Sequence, residues 1–175
     1  MIVDELIDGR RRYRRAWVAF GDFMEAGMAL NSYLTVRSCF PTEAGGENDL
    51  QNTRFCLIGF AIVAYMRPFK LSYKHERATR SVTLEELGMS LDKKQRELHD
   101  RIEVLRDKLI AHSDFSHKEL VPETPHAARA ATAPTITQLK AIEFREFHWL
   151  VAHATTSANK YMGRLVVKHG DKLMG

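Results

Sequence analysis

The chain has 175 residues, 45% apolar and 27% charged, which fits one domain with a filled core and excludes a disordered segment. Its formal charge of +4 permits a polyanionic partner without demanding one. The longest apolar run, Phe55 to Met66, has 12 residues, against the ~20 a membrane span needs, so no membrane partner is expected.

Helical periodicity dominates, with no strand pattern and no internal repeat. The first segment runs from about Asp4 to Val36. Tyr13, Trp17, Phe20, Met24, Met28 and Tyr33 recur near helical spacing and are expected to mark its buried face. Pro41 and the Gly45-Gly46 pair end it. A second helix starts near Asn48, a candidate N-cap, and runs to about Arg67, where Pro68 stops it. Being apolar nearly all round, it is expected to be central. Cys56 falls in this run and reads as a buried free thiol; with Cys39 it forms no C-x-x-C and no zinc spacing.

Thr83 with Glu86 has the spacing of a capping box for a short helix stopped by Gly88. Ser90 is the expected cap of a long helix to about His112. Its narrow stripe of Leu91, Leu98, Ile102, Leu105 and Leu109 suits packing against a partner helix. Residues 114–135 hold Pro122, Pro125 and Pro134 and show no periodicity, a long connection of the kind that is often functional. Thr135 with Gln138 repeats the capping-box spacing. The last helix is expected from about Ile136 to Val167, with Leu139, Phe144, Phe147, Val151, Ala154, Ala158, Tyr161 and Leu165 on its buried face. Thr155 to Asn159, "TTSAN", are weak helix formers that would allow a bend. Four long helices and one short one predict an all-α antiparallel bundle, one domain over 1–175.

Chemistry concentrates at "VLRDKLIAHSD", residues 104–114. Arg106 and His112 are six positions apart, about 120° of rotation and roughly 9 Å of rise on a helix. They do not share a face. Two antiparallel copies of the helix bring an arginine from one and a histidine from the other to a common cleft, which favours a symmetric dimer. Two bland readings stay open. His112 continues the stripe of Leu98, Leu105 and Leu109 and suits a packed histidine at a helix C-terminus. Arg106 has Glu103 and Asp107 beside it, which suits a solvated charge cluster.

The block Leu105 to Asp114, "LRDKLIAHSD", resembles the signature of the HEPN superfamily (higher eukaryote and prokaryote nucleotide-binding domains). There an arginine and a polar residue precede a histidine by a few positions at the end of a long helix. Arg106, Asp107 and His112 match those places, and one long helix follows, as in a four-helix HEPN-like bundle. The 22-residue connection before that helix departs from the minimal pattern. The resemblance implies a homodimeric, metal-independent endoribonuclease of a toxin–antitoxin or anti-phage defence system, with RNA as substrate, no cofactor and a possible antitoxin or other defence partner protein. It implies that His112 moves protons, that Arg106 stabilises phosphoryl charge and that Asp107 assists.

Two basic clusters are further candidates for gripping phosphate: the five arginines between Arg10 and Arg15, and the run from Arg67 to Arg80. Arg12, Arg15, Arg67 and Lys108 are the expected RNA contacts. A solvated face with arginine stems lying over apolar surface accounts for both clusters equally well. The eight histidines hold no H-E-x-x-H, and the pairs His112/His117 and His148/His153 do not share a helix face, so no metal is expected. No phosphate-binding glycine loop and no nucleophile elbow occurs. The N-terminus lacks the basic and apolar regions of a signal peptide, and with the cysteine usage the expected location is cytoplasmic. A non-catalytic module that binds RNA, a nucleotide or a protein is the alternative.

Overall fold

The computed structural model describes residues 2–36, 46–70, 81–113 and 141–173. They form five α-helices: α1 (Ile2–Thr35), α2 (Gly46–Met66), α3 (Leu84–Leu87), α4 (Lys93–Ser113) and α5 (Ala141–His169). Short 3-10 turns follow α2 (Arg67–Phe69) and α5 (Gly170–Leu173). No strand occurs among the described residues.

α1 lies between α2 and α5, and α4 fills the fourth position between the same two helices, so α1 and α4 stand diagonally across the bundle. Contacts at both ends fix the directions. Arg54 sits over the Tyr33 ring while Arg67 pairs with Asp22, so α1 and α2 are antiparallel. Glu5 pairs with Lys168 and Tyr33 stacks on Phe144, so α1 and α5 are antiparallel too.

The packing face of α1 is built from small side chains. Ala16, Ala19, Phe23, Ala26, Ala29 and Leu30 are buried, and they meet Ala61 and Ala64 of α2 and Ala154 and Ala158 of α5 in one core cluster. Alanine has no rotamer freedom to lose and lets helix axes approach closely. Large rings fill the centre. Phe23, Tyr65 and Phe147 are fully buried, with Tyr65 edge-on to Phe147, and each such side chain contributes about 1.5–3 kcal/mol of burial.

This arrangement corrects three expectations. Trp17, Met24 and Met28 are exposed, Trp17 by 60% and Met28 by 65%. Their spacing is helical, but the alanines occupy the face that packs. α2 is not enclosed either. Ile58, Ile62 and Tyr65 point inward while Phe55 and Phe60 reach solvent, because a helix at a bundle corner keeps an outward face whatever its composition. Cys56 lies on that outward side and is an exposed free thiol, not a buried one.

Helix ends follow local chemistry. At α3, Thr83 Oγ1 accepts from the Glu86 N–H and Glu86 Oε2 accepts from the Thr83 N–H, a complete capping box. Gly88 ends it in the left-handed region at φ 70°, where a side chain would be strained. α4 is capped by Asp92, not Ser90. Asp92 Oδ1 accepts from the Gln95 N–H and Gln95 Oε1 accepts from the Asp92 N–H, both at 2.9 Å, which moves the start two residues on. α2 starts at Gly46, ahead of Asn48. The expected stripe of α5 is buried from Phe144 to Leu165. The helix runs unbroken through Thr155–Asn159, and Thr155 Oγ1 donates to the Val151 carbonyl. Leu139 and the Thr135–Gln138 pair lie outside the described residues.

α4 joins the core through Leu98, Ile102 and Leu105, all buried, and through a histidine. His99 is 7% exposed, its Nδ1 is 2.9 Å from the Tyr65 hydroxyl, and the Phe69 ring lies edge-on to it. Burial lowers the His99 pKa, against smaller opposing effects of Asp100 and Glu103. Burial also pushes the Tyr65 phenol up, so a protonated hydroxyl shares a hydrogen bond with the Nδ1 of neutral His99.

Two predictions follow from this packing. A histidine whose pKa is lower in the folded state favours folding while neutral, so its contribution is complete above the unfolded imidazole pKa and is lost as pH falls through it. Urea midpoints between about pH 8 and pH 5 should therefore drop, and His99→Leu should flatten that slope. Ala26→Leu should cost about 1–3 kcal/mol by overpacking the seam, whereas Met28→Ala should stay within about 0.5 kcal/mol in dilute protein.

Candidate functional site

The C-terminal half of α4 carries the Arg106, Asp107 and His112 positions. Arg106 follows the buried Leu105, so its stem starts at the core edge, and its side chain is 24% exposed. Arg106 Nη1 donates to Asp107 Oδ1 at 2.9 Å. Arg106 Nε is buried and has no hydrogen-bond partner. Asp107 Oδ2 accepts from Lys70 Nζ at 3.0 Å, and Lys70 also pairs with Glu103 at 2.6 Å. Lys70 follows the 3-10 turn after α2, so it links that turn to α4. Arg101 pairs with Glu143 at 2.9 Å and links α4 to α5.

The electrostatics are those of a small ionic network. The hydrogen bond from Arg106 is the main cause that holds the Asp107 carboxyl below its ordinary pKa, with Lys70 adding to it. Hydrogen bonds to Glu103 and Asp107 raise the Lys70 pKa. Asp107 is thus ionised, accepts from both cations and orients the Arg106 fork. Within that fork Nη1 is engaged and Nε is covered by protein without an acceptor, so an oxyanion would meet only the part of the guanidinium that still reaches solvent. Of the two neighbours expected for Arg106, Asp107 is its partner and Glu103 belongs to Lys70.

The α4 backbone is helical through Ser113, which places His112 about 9 Å along the axis from Arg106 and about 120° around it. Within one chain the two positions therefore do not share a face. The side chains of Lys108, Leu109 and His112 lie outside the described residues, as do Lys74, Arg77 and Arg80.

The other basic candidates are separate from this cluster. Arg67 pairs with Asp22 and with Glu25 of α1. Arg15 is 17% exposed and held by Glu86 at 2.8 Å, so it ties α1 to α3. Arg12 pairs with Asp8 at 2.7 Å. It lines a cleft of about 310 Å³ between α1 and α5, together with Tyr161, Leu165, Lys168 and His169. Lys168 is paired there with Glu5, and the Tyr161 hydroxyl is buried with no partner. Among the described residues no group of three or more His, Cys, Asp or Glu is placed to hold a metal ion, and no helix is long and apolar enough to cross a membrane.

The sequence reading missed His99 and the paired role of Lys70. His99 sits one place after Leu98 in the stripe, which was the available signal for burial. Nothing local in sequence foretells Lys70, because its partners come from another helix. No protein-family model, curated protein or solved structure matches the chain.

The network makes a measurable prediction. Arg106→Ala removes the main cause of the lowered Asp107 pKa, so that carboxyl should titrate nearer its ordinary value. Carboxyl-carbon NMR of Asp107 reads this directly, and a Lys70→Ala variant should give a smaller shift in the same direction.

Proposed function

We propose that the chain is a HEPN-like, metal-independent endoribonuclease of a toxin–antitoxin or anti-phage defence system. The observation that carries the reading is the arginine fork at the core edge of α4, 24% exposed and oriented by an ionised Asp107, on the helix that also bears His112. The residue types suit RNA, which supplies its own nucleophile. The 2′-oxygen attacks phosphorus and the bond to the 5′-oxygen breaks. An imidazole near neutral pKa takes the proton from the 2′-hydroxyl, or delivers one to the departing 5′-oxygen. Arg106 donates to the phosphoryl oxygens as charge grows on them. The products are a 2′,3′-cyclic phosphate and a 5′-hydroxyl.

The 120° offset between Arg106 and His112 supports sharing this chemistry between two copies of the chain, one giving the guanidinium and the other the imidazole. Lys108, Arg12, Arg15 and Arg67 are proposed phosphate contacts. Arg12, Arg15 and Arg67 would each exchange a carboxylate partner for phosphate, Arg15 through the 17% of its side chain that reaches solvent. A cytoplasmic setting and an antitoxin or other defence-system partner belong to the same proposal.

A second reading has its own support. Lys70, Arg106, Asp107 and Glu103 neutralise one another, as they would in a non-catalytic module that binds RNA, a nucleotide or a protein through the same bundle.

Single-stranded RNA incubated with the protein in EDTA separates the two. The nuclease reading predicts cleavage to cyclic-phosphate ends, reduced at least ~100-fold by Arg106→Ala and by His112→Ala. Retarded RNA without cleavage supports the binding module. Cleavage indifferent to both substitutions contradicts the assigned site.

A further inference from the structure

The outward face of α1 carries apolar side chains that the bundle leaves uncovered. Trp17, Met24 and Met28 are exposed, as is Val18 beside them, and a Cβ built on Gly21 meets nothing within 4 Å. These positions belong to a longer series of Arg10, Arg14, Trp17, Gly21, Met24, Met28, Asn31 and Thr35. Its steps alternate four and three, the spacing of a seam between two helices.

The series is also symmetric about a point between Asp22 and Phe23. Reversed end to end, it places Trp17 opposite Met28, Gly21 opposite Met24 and Arg14 opposite Asn31. Large faces small at the middle, the apolar pairs occupy the centre and the polar pairs the ends. An arginine at the N-terminal end would lie beside the C-terminal end of the opposing helix, where the peptide dipole favours a cation. A surface that complements its own reverse is what a twofold contact requires.

We propose that a second copy of this chain docks here, with the two α1 helices antiparallel and Gly21 against Met24 at the centre. The series covers 25 steps, roughly 38 Å of helix about 10 Å wide. That footprint, on the order of 400 Å², is below the ~800 Å² per partner of a standard stable complex, so the dimer is weak and reversible. The contact does not rest on the nuclease reading. α1 is diagonal to α4, so the pairing leaves Arg106 of each copy on the far side, and a composite nuclease site would use a separate contact.

Sedimentation velocity from about 1 to 300 µM, concentrations that reach weak self-association, tests the pairing. The wild-type chain should pass reversibly from monomer to dimer. Met24→Glu and Met28→Glu, both on exposed positions, should each weaken the transition more than 10-fold while circular dichroism is unchanged. Orientation is read by disulfide trapping in a Cys39→Ser, Cys56→Ser background. Trp17→Cys mixed with Met28→Cys should cross-link faster than either variant alone. A chain that stays monomeric throughout overturns the proposal, as does a dimer indifferent to both glutamates. Trp17→Cys cross-linking to itself as fast as in the mixture overturns the antiparallel register.

Discussion

The bundle depends on a seam in which alanine, not leucine, does the packing. Ala16, Ala19, Ala26 and Ala29 let α1 approach α2 and α5 closely, and Ala61, Ala64, Ala154 and Ala158 answer from the other side. The close approach brings Phe23, Tyr65 and Phe147 together at the centre. It also leaves Trp17, Met24 and Met28 of α1 facing away from the core. One constraint thus explains both the tight interior and the apolar exterior of the same helix.

That division shows where the sequence was legible. The five helices, the Thr83–Glu86 capping box, the Gly88 stop and the stripe of α5 from Phe144 to Leu165 could be read directly, because each depends on residues a few positions apart. The face of α1 could not. Trp17, Met24 and Met28 repeat at helical spacing with Tyr13 and Phe20, which do pack on the core, and periodicity alone does not say which of them turn outward. The alanines decided it, through the closeness of neighbouring helices, a tertiary property. α2 misled in a related way: a uniformly apolar helix has no moment to orient it, so the exposure of Phe60 and Cys56 follows from its corner position.

The candidate site divides along the same line. Arg106 and Asp107 are adjacent in sequence, and their pairing was within reach of it. Lys70 enters from the turn after α2 and ties that segment to α4, which no local pattern announces. The result is a guanidinium with one arm held by a carboxylate and a buried nitrogen still without an acceptor. The nuclease proposal assigns the part of the fork that reaches solvent to phosphate, and the 120° offset of His112 is the reason the proposal needs two chains. The buried His99–Tyr65 pair, by contrast, joins α4 to α2 and serves the fold.

The outward orientation of Trp17 is the most direct test of the alanine seam. In a Trp149→Phe variant, Trp17 is the only tryptophan left, since the chain has two. Its emission and acrylamide quenching, measured on protein diluted well below the micromolar range, report its contact with water. The seam predicts a red, solvent-like emission that acrylamide quenches readily. A blue-shifted emission resistant to acrylamide in dilute protein would place Trp17 in the interior and contradict the packing of α1.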